Sequence, residues 1–251
     1  MTAATSVLPT VLREALETGK VEAADGRIID LNSNVSIDDA LTLYKAVRAI
    51  KPKRSAEIGF AFGVSTLSIL QALKDNDAGE HDVIDPYQAD YGDVGLILVK
   101  KAGVHRRLHF HRNFSEEVIP TLPRLQFAFV DASHLFDLSL VEFVLLDKKL
   151  EVGGLIGFHD TWMPSLQRLI RYILNNRAYE VVRDFDGDYA TTSNGSMIKG
   201  VVLSVIHALP KKERLFRTDA LTPWKDLNIR NLALLRKTAD DGREWMFHKE
   251  F

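Results

Sequence analysis

The chain has 251 residues, 46% apolar and 26% charged, and its 32 Lys and Arg against 34 Asp and Glu leave a formal net charge of −2. These are the proportions of a soluble globular protein. The balance excludes nucleic-acid binding by bulk phosphate neutralisation and a polybasic membrane anchor. The absence of cysteine excludes disulfide scaffolds, thiol nucleophiles and cysteine-ligated metal centres, and no apolar run approaches the roughly 20 residues that span a bilayer.

Taken in order, residues 1–20 carry a helical stripe (Val7, Leu8, Val11, Leu12, Leu16) that ends at Gly19. No basic stretch followed by an apolar core opens the chain, so a signal peptide is not expected, and the expected location is cytoplasmic. A loop follows. Ser36 reads as an N-cap, with Asp38 and Asp39 in the first turn, where the helix dipole favours negative charge. Ile37, Ala40, Leu41, Tyr44, Val47 and Ile50 recur at helical spacing up to Pro52.

From there strands and helices alternate. The strands are expected at 55–58, 82–84, 107–110, 127–130 and 155–158. The helices are expected at 64–73, 94–102, 116–122 and 138–150, with another opened by Pro164 at its favoured first position. In the helix at 138–150, Leu138, Val141, Val144 and Leu145 form the expected apolar side, and Glu142 falls elsewhere. Residues 179–185 and 231–249 read as later strands, the second stretch split by the turn Asp240-Asp241-Gly242. The pattern predicts an α/β fold: a Rossmann-like, doubly wound, mostly parallel sheet of seven strands with an antiparallel C-terminal hairpin. One domain spans 1–251: N-terminal helices over 1–50, a core over 51–185, an insertion or lid over 186–230 and the hairpin over 231–251.

Right-handed crossovers place every parallel strand's C-terminal end on one edge, where ligands of such folds sit. The chemistry is therefore expected at Glu57–Gly63, Asp85, Asn113–Ser115, Asp131–His134 and His159–Asp160. The turn Glu57-Ile58-Gly59-Phe60-Ala61-Phe62-Gly63 alternates small residues, which let a backbone pass close to a ligand. A dinucleotide-binding turn started at Gly59 needs glycine at 61 and 64, and the residues there are Ala61 and Val64. Asp85 follows Gly63 by 22 residues at a strand end. A carboxylate there can accept both hydroxyls of a ribose.

Glu57 with the small residues Gly59, Ala61 and Gly63 resembles the first motif of class I S-adenosylmethionine-dependent methyltransferases. The segments Gly59–Thr66, Ile84-Asp85-Pro86, Phe129–His134 and Gly153–Asp160 are similar to a bacterial branch of small-molecule O-methyltransferases, and more distantly to catechol O-methyltransferase. The resemblance implies S-adenosylmethionine as cofactor, with Ser65 at its methionine end and Ser115 and Glu116 around its adenine. It implies a divalent cation, such as Mg²⁺, on Asp131 and Asp160, with His159 as a further ligand that tilts the preference toward Mn²⁺ or Zn²⁺. His134, three residues past Asp131, is expected to be the general base, assisted by Asp131. The expected acceptor is a small hydroxylated molecule, a sugar or secondary metabolite. Nucleic-acid and membrane partners are not expected. The N-terminal helices and 186–230 are candidate subunit contacts of a homo-oligomer. Two rivals stand beside this reading: a nicotinamide-dinucleotide oxidoreductase, and a catalytically idle cofactor-binding or scaffold protein.

Overall fold

A computed structural model describes residues 3–182, 185, 224–227, 229–247, 249 and 251. In chain order its elements are α1 (Thr10–Thr18), β1 (Lys20–Glu22), β2 (Ile28–Asp30), α2 (Ile37–Ile50), β3 (Arg54–Ile58), α3 (Val64–Asp75), β4 (Glu80–Ile84), α4 (Val94–Lys101), β5 (Leu108–His111), α5 (Ser115–Val118), β6 (Leu125–Val130), α6 (Phe136–Lys149), β7 (Leu150–Phe158), α7 (Pro164–Asn176), β8 (Tyr179–Val182) and β9 (Ala233–Lys237). Seven strands form one sheet in the order β5-β4-β3-β6-β7-β9-β8. Neighbours from β5 to β7 run parallel, and β9 is antiparallel to both β7 and β8. The strand order reverses between β3 and β6, both of which start from the middle of the sheet. That junction is where a crevice opens in such a fold.

Side-chain alternation along the strands builds two cores. Phe127 and Phe129 of β6 pack on one face with Val47 of α2, Leu67 of α3 and Leu98 of α4. Ala128 and Val130 face the other way, toward Phe143 and Leu146 of α6 and Leu169 and Ile173 of α7. Each fully buried Phe, Leu, Ile or Val among these contributes about 1.5–3 kcal/mol. The caps follow local chemistry. Ser36 accepts the Asp39 amide and donates to the Asp39 carboxylate at 2.7 Å, a reciprocal cap on α2. Gly19 closes α1 in the left-handed conformation.

Three expectations are corrected. Residues expected to form a loop after Gly19 make the β1–β2 hairpin, whose three-residue strands are too short to show a period. The antiparallel pair at the C-terminal side joins β8 to β9. It is not split at Asp240-Asp241-Gly242, because 239–247 contains no strand. Helix α6 turns a different side inward. Leu138 and Val141 are exposed, whereas Ser139, Glu142, Phe143, Leu146 and Asp147 are buried. Most of the expected insertion or lid at 186–230 lies outside the described residues.

Candidate active site

Strand β3 runs into the turn 59–63, where every second residue is left-handed: Gly59 at φ +92°, Ala61 at +45° and Gly63 at +78°. A Cβ on Gly59 would stand 2.0 Å from the Asp131 carbonyl oxygen, so only glycine lets the turn lie against the end of β6. The turn's N–H groups are engaged inward. Gly59 donates to the Ile84 carbonyl and Gly63 to that of Phe60. Phe60 and Ala61 donate to Asp85 Oδ2 at 3.0 and 3.1 Å, and Tyr87 donates to Asp85 Oδ1 at 2.7 Å. Gln88 holds the Ala61 carbonyl at 2.8 Å. A pyrophosphate needs free N–H groups and no carboxylate at such a turn. This turn offers neither condition, and it suits a ligand that is neutral or cationic where it passes.

Glu57 does not reach the crevice. It is 0% exposed and is held by the hydroxyls of Ser65 and Thr66, the latter at 2.7 Å, while His81 Nε2 lies 2.9 Å away. The expectation that Glu57 touches a ligand is therefore corrected. A carboxylate at an interior strand end is costly to bury alone, and the first turn of α3 supplies its partners. Ser65 is occupied in the same network, so both residues fasten α3 to β3 and fix the turn between them.

The ends of β6 and β7 carry a second group. His134 Nε2 lies 3.2 Å from Asp131 Oδ1 and 3.4 Å from Asp160 Oδ2. His134 and Asp160 are both left-handed, at φ +56° and +51°, a conformation that persists only where the surroundings enforce it. The hydrogen bond that it donates to Asp131 raises the His134 imidazole above its usual range. Desolvation of the half-buried Asp131 alone would make it ionise less readily, but hydrogen bonds from His134 and His159 bring it down to about 2. His159 sits behind the pair, with Nδ1 3.4 Å from Asp131 Oδ2 and 3.6 Å from Asp160 Oδ1. Its Nε2 lies 3.4 Å from Asp39 Oδ2 and 3.0 Å from Asn231 Nδ2. Burial opposes its charge, yet the bonds to Asp131 and Asp39 push it up to about 10. His159 stands outside the set of ligand atoms that come together here. One ligand atom each from Asp131, His134 and Asp160 lies within 4.8 Å of the others, a donor set that fits a divalent cation. The Thr161 hydroxyl turns away to the Arg230 carbonyl.

Trp162 stands 63% exposed with its indole N–H on Asp160 Oδ1 at 3.0 Å. Tyr87 is exposed beside Asp85, whereas Tyr91 packs edge-on against Phe62 and Phe185 joins the core. Ser115 opens α5 and donates to Glu142 Oε1 at 3.0 Å. Asp39, Asn231 and Glu142 were not anticipated as site residues. Asp39 carried a visible signal as an N-cap partner but nothing pointing to His159. For Asn231 and Glu142 the sequence holds no local signal.

Residues 56–161 match the model of a family described as "Methyltransferase domain". The chain is 33% identical over 138 residues to tapetum-specific methyltransferase 1 of Arabidopsis thaliana, covering 53% of this chain and 57% of that one. It is 30% identical over 143 residues to flavonoid 3',5'-methyltransferase of Vitis vinifera, covering 54% and 59%. The alignments therefore span a little over half the length of these curated relatives. Among solved structures, the SAH-bound methyltransferase of Podospora anserina superposes with a TM-score of 0.57 at 20% identity, covering 70% of this chain and 83% of that one. The SAH complex of the O-methyltransferase of Bacillus cereus gives 0.57 at 14% identity, covering 69% and 82%. The likeness to these solved structures establishes a Rossmann-like α/β fold.

Proposed function

We propose that this chain, with its methyltransferase-family match over residues 56–161, is an S-adenosylmethionine-dependent O-methyltransferase acting on a small hydroxylated acceptor, a sugar or secondary metabolite. One observation carries the reading: Asp131, His134 and Asp160 converge at the crevice where the glycine turn lies against β6. The inward-turned N–H groups of that turn speak against a dinucleotide. The strained and paired acid–imidazole group speaks against an idle scaffold.

S-adenosylmethionine would supply a methyl group that passes in line to the acceptor oxygen as its bond to sulfur breaks and the neutral thioether leaves. The chain's own contribution is position and proton removal. The turn at 59–63 and Asp85 set the crevice beside Asp131. His134 takes the acceptor hydroxyl's proton onto the ring nitrogen that does not face Asp131, and Asp131, 3.2 Å from Nε2, steadies the charged imidazole that results. Asp131 and Asp160 would hold a divalent cation, which lowers the acceptor's pKa by Lewis-acid action. Holding the acceptor oxygen on the reaction axis can lower the barrier by about 7–11 kcal/mol.

The test is a thermal-shift panel with S-adenosylmethionine, S-adenosylhomocysteine and NAD. A ligand at 100 times its Kd stabilises by about 2.7 kcal/mol, equivalent to roughly 5–10 °C for a domain this size. The expected result is a shift with the two sulfur compounds and none with NAD. A shift with NAD alone overturns the reading.

A further inference from the structure

Glu142 is the buried acid that the chemistry above leaves unused. It sits on the inward side of α6 at 6% exposure. Oε1 accepts the Ser115 hydroxyl at 3.0 Å, and Oε2 has no partner among the described residues. Among the described residues the only other acceptor of the Ser115 hydroxyl is Glu116 Oε2, at 3.4 Å. A serine hydroxyl has one proton and two lone pairs. Here both possible acceptors of that proton are carboxylates, so toward the crevice Ser115 can only accept a hydrogen bond.

Ser115 stands just past the end of β5, next to the strand whose end carries Asp85. The residue before it, Phe114, carries an exposed ring. Phe114 and Tyr87 meet edge to face, with centroids 6.1 Å apart. Exposed rings beside a buried acceptor fit a planar heterocycle that carries an N–H donor on its edge.

We propose that Glu142 is a positioning residue that sets specificity for a 6-aminopurine: by taking the Ser115 proton it leaves an acceptor facing the base, so an exocyclic amine is bound and a 6-oxo group is repelled. This inference rests on the S-adenosylmethionine reading and places the adenine at Ser115. A carbonyl oxygen in the amine's place would face two carboxylates and a lone pair, with no donor to meet it.

The experiment is titration calorimetry at pH 8, above the value near 7 to which burial pushes the Glu142 carboxyl. The ligands are S-adenosylhomocysteine and its deaminated 6-oxo analogue, S-inosylhomocysteine. The unmodified protein is expected to bind the amino compound about 10- to 100-fold more tightly, the range for one mismatched buried polar group. Glu142→Gln can donate its amide N–H to Ser115, which leaves the serine proton to Glu116 or to the crevice, so the preference is expected to fall. Ser115→Ala, which removes the group altogether, is expected to bring the two affinities within about threefold. A variant that is merely damaged would weaken both ligands alike. Equal affinity of the unmodified protein for both ligands overturns the proposal, as does an unchanged preference in both variants. Binding of neither ligand by the unmodified protein overturns the S-adenosylmethionine reading itself.

Discussion

At the scale of single residues, His134 combines a strained backbone with a position between two carboxylates. Such strain persists at sites where geometry is enforced. His134→Asn tolerates the left-handed backbone but cannot accept a proton as a base. The expected outcome is a fall in kcat of about 10²- to 10⁴-fold, with the Kd for S-adenosylhomocysteine within threefold of the unmodified protein. Stopped-assay kinetics paired with calorimetry measure both, and a kcat within threefold of the unmodified value would remove His134 as the base. The residue scale is also where sequence reading reached its limit. Asp131, His134 and Asp160 were legible, because strand ends of a parallel sheet share an edge. Glu57 was legible as a strand-end acid but not as a buried one. Its partners Ser65, Thr66 and His81 depend on the seating of α3 and β4.

At the scale of elements, the sheet is locked at its N-terminal edge by a buried ionic knot. Asp147 of α6 pairs with Arg177, accepts the Tyr179 hydroxyl at 2.6 Å and lies 3.6 Å from Lys237 Nζ. Lys237 also donates to the Asp147 and Leu150 carbonyls at 2.8 and 3.0 Å. One carboxylate thus ties α6, the end of α7, β8 and β9. Removing one partner of a buried pair strands the others and costs about 3–5 kcal/mol. Asp147→Ala is therefore expected to lower Tm by roughly 6–20 °C in a scanning-calorimetry trace. A shift under 2 °C would mean that the knot contributes nothing to holding β8 and β9. Periodicity placed α6 well but rotated it wrongly: Leu138 and Val141 appeared as its core stripe and face solvent. Both choices satisfy a helical period. Only the neighbouring α5 and α7 decide between them.

At the scale of the whole molecule, Glu142 links the site to global stability. Burial pushes its carboxyl up to about 7, whereas an unfolded glutamate ionises near 4.3. Between those values the folded state keeps a proton that the unfolded state has lost. The group therefore withdraws stability as pH rises through that window, and its full cost stands above pH 7. Glu142→Gln removes the titration. Its unfolding free energy relative to the unmodified protein is expected to rise by about 1–3 kcal/mol between pH 5 and pH 8 in urea melts. Parallel curves across that range would show that the carboxyl ionises normally.

The sequence alone determined the alternation of strands and helices, the parallel sheet, and the edge on which the acids and histidines gather. Each of these follows from local period, caps and chain connectivity. Tertiary structure alone decided that Glu57 turns inward and that Asp39 and Asn231 close on His159. It also decided that Glu142 lies beneath Ser115. Those pairings join residues as far as 120 positions apart, and such contacts are set by helix rotation and by which strands lie side by side, neither of which leaves a trace in any single stretch of chain.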